Sequence, residues 1–137
     1  RMASGGPNEV WSYGEPLYEM CRKYMFLRER LRPYITGLMQ DAHEKGTPVI
    51  RPMFYDFPEE KNCWTLDGQY MFAGSLLVAP VMEAGQRAKT VYLPAGTWYN
   101  AWVGEAVEGG RTVEADAPLT VIPVYTRDPG LLEVFKG

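Results

Sequence analysis

From Glu15 to Glu44 the apolar residues Leu17, Met20, Cys21, Tyr24, Leu27, Leu31, Ile35, Leu38 and Ala42 recur at steps of three and four. That is the helical period, and it gives one broad apolar face. Pro16 suits a first helical turn, and Ser12 or Gly14 stands where a cap would. The stretch Ser4–Gly14 before it, rich in small residues, reads as loop. Pro33 lacks the amide hydrogen that a helix interior needs, so the helix is expected to kink or restart there. Gly46, with Pro48 behind it, is the expected stop. At ~100° per residue Arg28 and Arg32 fall inside the apolar arc, and Phe26 falls opposite. The arginines either snorkel, with buried stems and hydrated heads, or one pairs with a carboxylate or chain-end carbonyl groups under a layer of the fold. Phe26 on the far side predicts a helix covered on both faces in its native setting.

Beyond Pro48 the period drops to two. Val49–Tyr55 is expected as a short strand, with Pro52 removing one ladder donor. Ser75–Val81 is apolar after its serine, which predicts a strand buried on both faces. Ala88–Pro94 and Thr97–Trp102 alternate, and Arg111–Asp116, Leu119–Tyr125 and Leu131–Phe135 complete the series. Turns are expected at Glu83–Gly85, Pro94–Gly96, Gly109–Gly110 and Asp128–Gly130. Short strands at close turn spacing suggest an antiparallel sandwich. The fold class is therefore α+β: a long kinked helix and one strand, then an antiparallel β-sandwich. The boundary falls between Pro58 and Tyr70, giving regions 1–58 and 59–137. A helix and one strand cannot bury themselves alone, so the first region reads as part of a larger layer.

The 137 residues can hold one domain or one and a half. A hydrophobic fraction of 46% with 18 aromatics excludes disorder. The net charge of -3 gives no footprint for nucleic acid. Residues after Gly46 hold 11 of the 17 acidic side chains and 7 of the 14 basic ones, so the β-rich part carries the negative charge. No apolar run approaches the ~20 residues that cross a bilayer, so no membrane partner is expected. No signal peptide is visible, and the opening Arg1-Met-Ala-Ser-Gly-Gly-Pro7 reads as a piece cut from a longer chain. Cys21 and Cys63 have neither metal-ligand spacing nor a disulfide framework. A reducing compartment follows, and a cytoplasmic, bacterial-type location is the expectation.

Chemistry is sparse. The aspartates are Asp41, Asp56, Asp67, Asp116 and Asp128, beside twelve glutamates, and no pair has a spacing that implies a shared site. Asp56 lies just past a strand end, where barrel enzymes keep function, but a turn or helix cap would use it equally well. Glu59 and Glu60 beside Pro58 read as a solvated turn. His43, near the helix end, suits an interaction with the helix dipole. Cys21 reads as core, and Cys63, in a polar loop, reads as exposed. One histidine far from any nucleophile elbow leaves no Ser/His/Asp arrangement. No metal cluster and no phosphate or dinucleotide fingerprint occurs, so no cofactor and no metal are expected. Trp98, Tyr99 and Trp102 either form an aromatic row for stacking on sugar rings or, for the two tryptophans, fill the core between sheets.

Five motifs in order carry a family likeness. They are Leu27-Arg-Glu-Arg-Leu-Arg-Pro-Tyr34, Ala42-His-Glu-Lys-Gly-Thr-Pro-Val-Ile-Arg-Pro52, Gln69-Tyr-Met-Phe-Ala-Gly-Ser-Leu-Leu-Val-Ala-Pro-Val81, Val91-Tyr-Leu-Pro-Ala-Gly-Thr-Trp-Tyr99 and Ile122-Pro-Val-Tyr-Thr-Arg127. With the loop Asn8–Glu15 they resemble the C-terminal part of glycoside hydrolase family 31, the retaining α-glucosidases and α-xylosidases. The family usually has a glycine after Phe72, where this chain has Ala73. The resemblance implies the end of a (β/α)8 barrel followed by the proximal C-terminal β-domain. It also implies, for the parent, double displacement through a glycosyl-aspartate without metal or nucleotide. The family's nucleophile, acid/base aspartate and active-site histidine belong to motifs before Arg1 and match no position here. The expectation is a structural segment, inactive alone, partnered by the rest of the parent's barrel, with oligosaccharide bound only by the intact parent. The alternative is a stand-alone carbohydrate-binding β-sandwich. Without a barrel against it, the stripe Leu17, Tyr24, Leu31, Leu38 predicts self-association through the helix.

Overall fold

The computed structural model describes residues 9–136, so the part of the expected loop before Glu9 lies outside the described residues. The chain forms two compact units that divide between Gly37 and Leu38.

In the first unit a 3₁₀ turn, Val10–Tyr13, leads to Gly14. Gly14 holds φ at 85°, a left-handed value that its missing Cβ makes easy, and serves as the cap. Helix α1 then spans Glu15–Arg30 with Pro16 in its first turn, and α2 spans Arg32–Lys45, its residues from Leu38 onward counting with the second unit. Leu31 sits between them, so the chain restarts beside Pro33 as the missing amide requires. Leu27 is the buried residue of α1, and α2 has none. Arg32 lies on the surface in a pair with Glu29, Nη2 to Oε2 at 2.5 Å, and Arg28 is also exposed. No layer covers either guanidinium within this unit.

The second unit is built on two antiparallel sheets. Gly46 ends α2 at φ 68°, its amide donating to the Ala42 carbonyl at 3.0 Å. The first sheet contains β1 (Ile50–Arg51), β2 (Tyr70–Phe72), β3 (Leu76–Val78), β5 (Thr97–Asn100), β6 (Ala106–Glu108) and β8 (Val124–Thr126), in the order β1-β2-β3-β8-β5-β6. The second pairs β4 (Ala88–Leu93) with β7 (Arg111–Asp116) in register from Ala88↔Asp116 to Leu93↔Arg111. Inward residues of both sheets meet in one core: Met71, Leu77, Trp98 and Tyr125 from the first, Val91, Leu93 and Ala115 from the second. That common core makes the pair a sandwich. Gln69 ties the sheets together as well. Its side-chain amide donates to the Tyr92 carbonyl at 2.7 Å and accepts from the Tyr92 amide at 2.9 Å, standing in for a neighbouring strand along β4.

Three expected strands differ. Val49–Tyr55 is a strand only at Ile50–Arg51, because Pro52 cannot donate to the ladder and its carbonyl instead accepts from Tyr55 N–H at 3.0 Å, opening the helical turn α3 (Met53–Asp56). Strand β8 occupies Val124–Thr126, after Pro118 and Pro123, where the reading placed Leu119–Tyr125. Leu131–Phe135 is helical: Asp128 accepts from the Gly130 amide and starts a 3₁₀ turn that runs into α4 (Leu132–Phe135). Strands β2 and β6, three residues each, are too short for an alternation to show in the sequence. Strand β1 pairs with β2, Ile50 opposite Phe72, so sheet pairing crosses the expected boundary after Pro58.

Candidate functional site

The richest polar constellation is assembled where the β2–β3 turn meets β1 and the end of β8. Arg51 projects from β1 and Asp56 from α3, and Pro52 between them supplies the bend that turns one back on the other. Arg51 Nη1 lies 2.8 Å from Asp56 Oδ1, with side chains 15% and 13% exposed. Arg51 Nε also donates to the Pro48 carbonyl at 2.7 Å, and its guanidinium lies 5.2 Å from the Tyr55 ring centroid. Asp56 Oδ2 is buried and has no hydrogen-bond partner. Arg127, just past β8, donates from Nε and Nη2 to the Gly74 carbonyl, at 3.2 and 2.5 Å. Its guanidinium lies over Phe57 and Trp98, 5.0 and 5.6 Å from their centroids. A side chain built on Gly74 would stand within 4 Å of Arg51, Arg127 and Asp56, so glycine leaves the space where these three converge. The residue before it, Ala73, holds φ at 51° while its amide donates to the Val49 carbonyl at 2.6 Å. That left-handed conformation costs a residue with a Cβ about 1 kcal/mol and explains why glycine suits this turn.

Chemically this is a cross-link. A desolvated guanidinium–carboxylate pair fixes the β1–α3 bend, and the second arginine staples the β2–β3 turn to the end of β8. Arg51 and Arg127 both stand in the family-like motifs, but nothing in the spacing of the sequence marks either as a pairing residue.

The other candidates are dispersed. Asp41 pairs with Lys45 at 2.5 Å on exposed α2, and Asp128 is spent on the Gly130 amide at 2.8 Å. Asp67, Asp116 and Glu59 are exposed. Glu60 is more than a solvated turn residue. It accepts from the Tyr92 hydroxyl at 2.6 Å and from the Ala95 amide at 2.8 Å, holding the 58–60 turn to the second sheet. The Tyr92 phenol is pushed up chiefly by that bond to Glu60. His43 is exposed in the last turn of α2. Cys21 is half-buried. Cys63, read from the sequence as exposed, is 1% exposed, because its 3₁₀ turn, Lys61–Trp64, packs it into the sandwich core. Burial, then the nearby Glu60 charge, push its thiol from 9.0 up to about 11. Trp98 is fully buried and donates to the Pro94 carbonyl at 2.7 Å, so it is core. Tyr99 and Trp102 are half-buried, with the Trp102 indole donating to the Ile122 carbonyl at 2.7 Å. The aromatic row is thus split: its first member fills the core, and its last lies at the surface.

An α+β chain with this two-sheet sandwich, closed by an arginine–carboxylate clamp at a glycine turn, matches one family model. Residues 46–131 match the glycosyl hydrolase family 31 C-terminal domain, and the chain belongs to that family. It is 33% identical over 119 residues to alpha-glucosidase 2 of Bacillus thermoamyloliquefaciens, covering 87% of this chain and 15% of that one. It is 36% identical over 127 residues to an alpha-xylosidase of Saccharolobus solfataricus, covering 92% and 17%. Among solved structures, a GH31 alpha-xylosidase from a soil metagenome, complexed with xylose, superposes with a TM-score of 0.91 at 44% identity. That match covers 98% of this chain and 20% of the other. A GH31 dextranase of Flavobacterium johnsoniae, complexed with glucose, gives 0.84 at 35% identity, covering 88% and 15%. The chain therefore spans a fifth or less of the length of these relatives.

Proposed function

We propose that this chain is the C-terminal structural segment of a retaining α-glycosidase acting on α-glucosides or α-xylosides, and that the catalytic carboxyl groups lie outside it. The observation that carries the reading is the extent of the match: 98% of this chain superposes on 20% of an α-xylosidase chain. The occupations of the carboxylates support it, since Asp56, Glu60, Asp41 and Asp128 are each spent on a local bond. In this reading residues 1–58 close the barrel and 59–137 form the β-domain that buttresses it, with β1 spanning the join. The test is hydrolysis of 4-nitrophenyl α-glucoside and α-xyloside by the chain alone. No turnover is expected; turnover that vanishes on Asp56→Asn, or on neutralising another aspartate of this chain, would overturn the proposal.

The partner of the first unit is the rest of the parent's barrel. Support comes from the apolar residues that α1 and the turn before it leave uncovered: Trp11, Met25 and Phe26 are 71%, 54% and 53% exposed. They flank a groove of about 390 Å³. The face opposite the expected stripe is thus the more exposed one, since Tyr24, Leu31 and Leu38 are half-buried and Leu17 is 46% exposed. Without a barrel the chain self-associates through these residues; a monodisperse monomer in light scattering would count against it. No described helix is long and apolar enough to cross a membrane. A cytoplasmic, bacterial-type location remains part of the proposal, supported by two free thiols and tested by fractionating cells that express the native gene.

A further inference from the structure

An aspartate side chain can close a five-membered ring onto the backbone nitrogen of the next residue. Whether it does depends on that nitrogen, which must be free of hydrogen bonds and unhindered. Most positions in this chain fail the condition. Asp41 lies within α2 and pairs with Lys45. The Phe57 amide after Asp56 donates to the Met53 carbonyl at 3.2 Å, and the Ala117 amide after Asp116 donates to the Arg87 carbonyl at 2.8 Å. Asp128 precedes Pro129, which has no amide hydrogen. Asparagines close the same ring, but the amides after Asn62 and Asn100, those of Cys63 and Ala101, donate to the Glu60 and Val124 carbonyls, each at 2.9 Å.

Asp67 is the exception. It is exposed, and its carboxylate makes no hydrogen bond or ion pair among the described residues. Gly68 follows at a bend outside any helix or strand, and its amide donates no hydrogen bond among the described residues. Glycine also brings no Cβ to hinder the approach. A Cβ built there would meet only the tip of Lys89, Nζ at 2.9 Å and Cε at 3.8 Å, so the space around the nitrogen is otherwise open. Electrophile and nucleophile are thus neighbours in sequence, and both are unoccupied and reachable. No other described aspartate combines these conditions.

We propose that Asp67–Gly68 is a site of spontaneous isoaspartate formation, and that this covalent change loosens the tie between the two sheets. The Gly68 nitrogen attacks Cγ of the protonated Asp67 carboxyl. The N–Cγ bond forms, the Cγ–OH bond breaks, and the hydroxyl leaves with the amide proton as water. Water then adds at the Asp67 backbone carbonyl carbon, breaks its bond to nitrogen and returns a proton to that nitrogen. The main chain now runs through Cβ and Cγ, and the former backbone carbonyl is a free carboxylate. One water leaves and one returns, so nothing is oxidised and the mass is unchanged. The backbone is one carbon longer between Leu66, which packs against the core, and Gln69, which is 5% exposed. Gln69 holds both the amide and the carbonyl of Tyr92 through its side chain. Anchors on both sides leave the extra carbon no slack to occupy, so Gln69 is displaced and the Tyr92 amide loses its acceptor. The inference is independent of the parent's activity, because it is read on the chain itself without turnover.

The test is to warm the full chain at mildly acidic pH beside a synthetic peptide spanning Thr65–Tyr70. Electron-transfer fragmentation of the digested chain then distinguishes isoaspartate from aspartate. Isoaspartate is expected at Asp67 and at no other aspartate. It is expected to be lost in Gly68→Ala, where a Cβ hinders the nitrogen, and in Asp67→Glu, which would have to close a larger ring. Gly68 is outside the left-handed region, the Lys89 tip can swing aside and Asp67 makes no bond, so both variants should fold, and either one suffices. Hydrogen exchange reads the consequence. The Tyr92 amide should exchange faster in the aged wild type than in the fresh one, and aged Asp67→Glu should keep its protection. An intact Asp67 after the peptide has converted overturns the proposal. So does isoaspartate spread over the other aspartates, undiminished conversion in folded Gly68→Ala, or unchanged Tyr92 protection in the isomerised chain.

Discussion

The two units of this chain use the same residue types to opposite ends. Along α1 and α2 the one buried helical residue is Leu27. In the second unit Met53, Met71, Leu77, Val91, Leu93 and Trp98 are all fully buried. Ion pairs show the same divide. Arg32–Glu29 on the helix joins side chains 70% and 52% exposed, whereas Arg51–Asp56 joins side chains 15% and 13% exposed. A helix with few buried contacts draws its order from whatever packs against it, while a sandwich with a common core supplies its own. The β-unit is therefore the part of this chain that behaves as a domain. The helical unit leaves much of its apolar surface exposed: Trp11, Met25 and Phe26 are each more than half exposed.

Trp98→Ala applies the largest lever to that contrast. The indole fills the core, anchors to Pro94 and carries Arg127 on its face. Removing it should cost about 3–5 kcal/mol, a large share of the ~5–15 kcal/mol that a domain has. Urea titration followed by near-ultraviolet circular dichroism should show the tertiary signal lost at much lower denaturant. An unchanged midpoint would mean that the core is not organised around this residue.

Next in size is the Arg51–Asp56 pair. Asp56→Ala leaves the largely buried Arg51 guanidinium without its carboxylate, with only the Pro48 carbonyl and the Tyr55 ring beside it, and should cost up to about 3 kcal/mol, the low end for breaking a buried pair. The double variant Arg51→Met/Asp56→Leu removes both charges and should recover most of that loss. A double variant as unstable as the single one would show that geometry at the Ala73–Gly74 turn, and not uncompensated charge, dominates.

Both effects rest on features unevenly legible in the sequence. The helix, its restart at Pro33, its stop at Gly46 and the long strands β4 and β7 follow from period and punctuation, because those signals are local. Strand β1 is shorter than its apolar run and α4 is helical because Pro52 and Pro129–Gly130 convert an apolar run into a turn, a choice that depends on which carbonyl each freed amide finds. Arg51, Arg127 and Gln69 are pairing residues whose partners lie 5, 53 and 23 positions away along the chain, so no periodicity could reveal them. The burial of Cys63 is hidden for a related reason: a neighbourhood that is polar in sequence is buried in space.

Cys63 gives a smaller, pH-dependent test. Its folded pKa, about 11, lies above the ordinary 9.0, so the folded state prefers the neutral thiol. The stabilisation is fully present below about 9 and is lost as pH rises from 9.0 through about 11. The slope is at most about 1.4 kcal/mol per pH unit. Tyrosines and lysines titrate in the same range, so the informative quantity is the difference between wild type and Cys63→Ala. Stability of the wild type should fall more steeply across that window. Ellman's reagent at neutral pH should modify half-buried Cys21 well before Cys63. Equal rates would place Cys63 outside the core.

The smallest expected effect closes the comparison from the helical side. Glu29→Gln breaks the exposed pair with Arg32, yet it should change stability by less than about 1 kcal/mol. The reason is dielectric: water already solvates both groups, and holding two long side chains together costs rotamer entropy. Asp56→Asn makes the same chemical change where water is largely excluded, so its cost should exceed that of Glu29→Gln severalfold in parallel urea titrations. Equal costs for the two substitutions would mean that the helical unit is as well covered as the sandwich, and the contrast between the units would fail. In an assembly that buries α1, the Glu29→Gln effect should grow toward that of Asp56→Asn, because covering the helix removes the water that makes the pair dispensable.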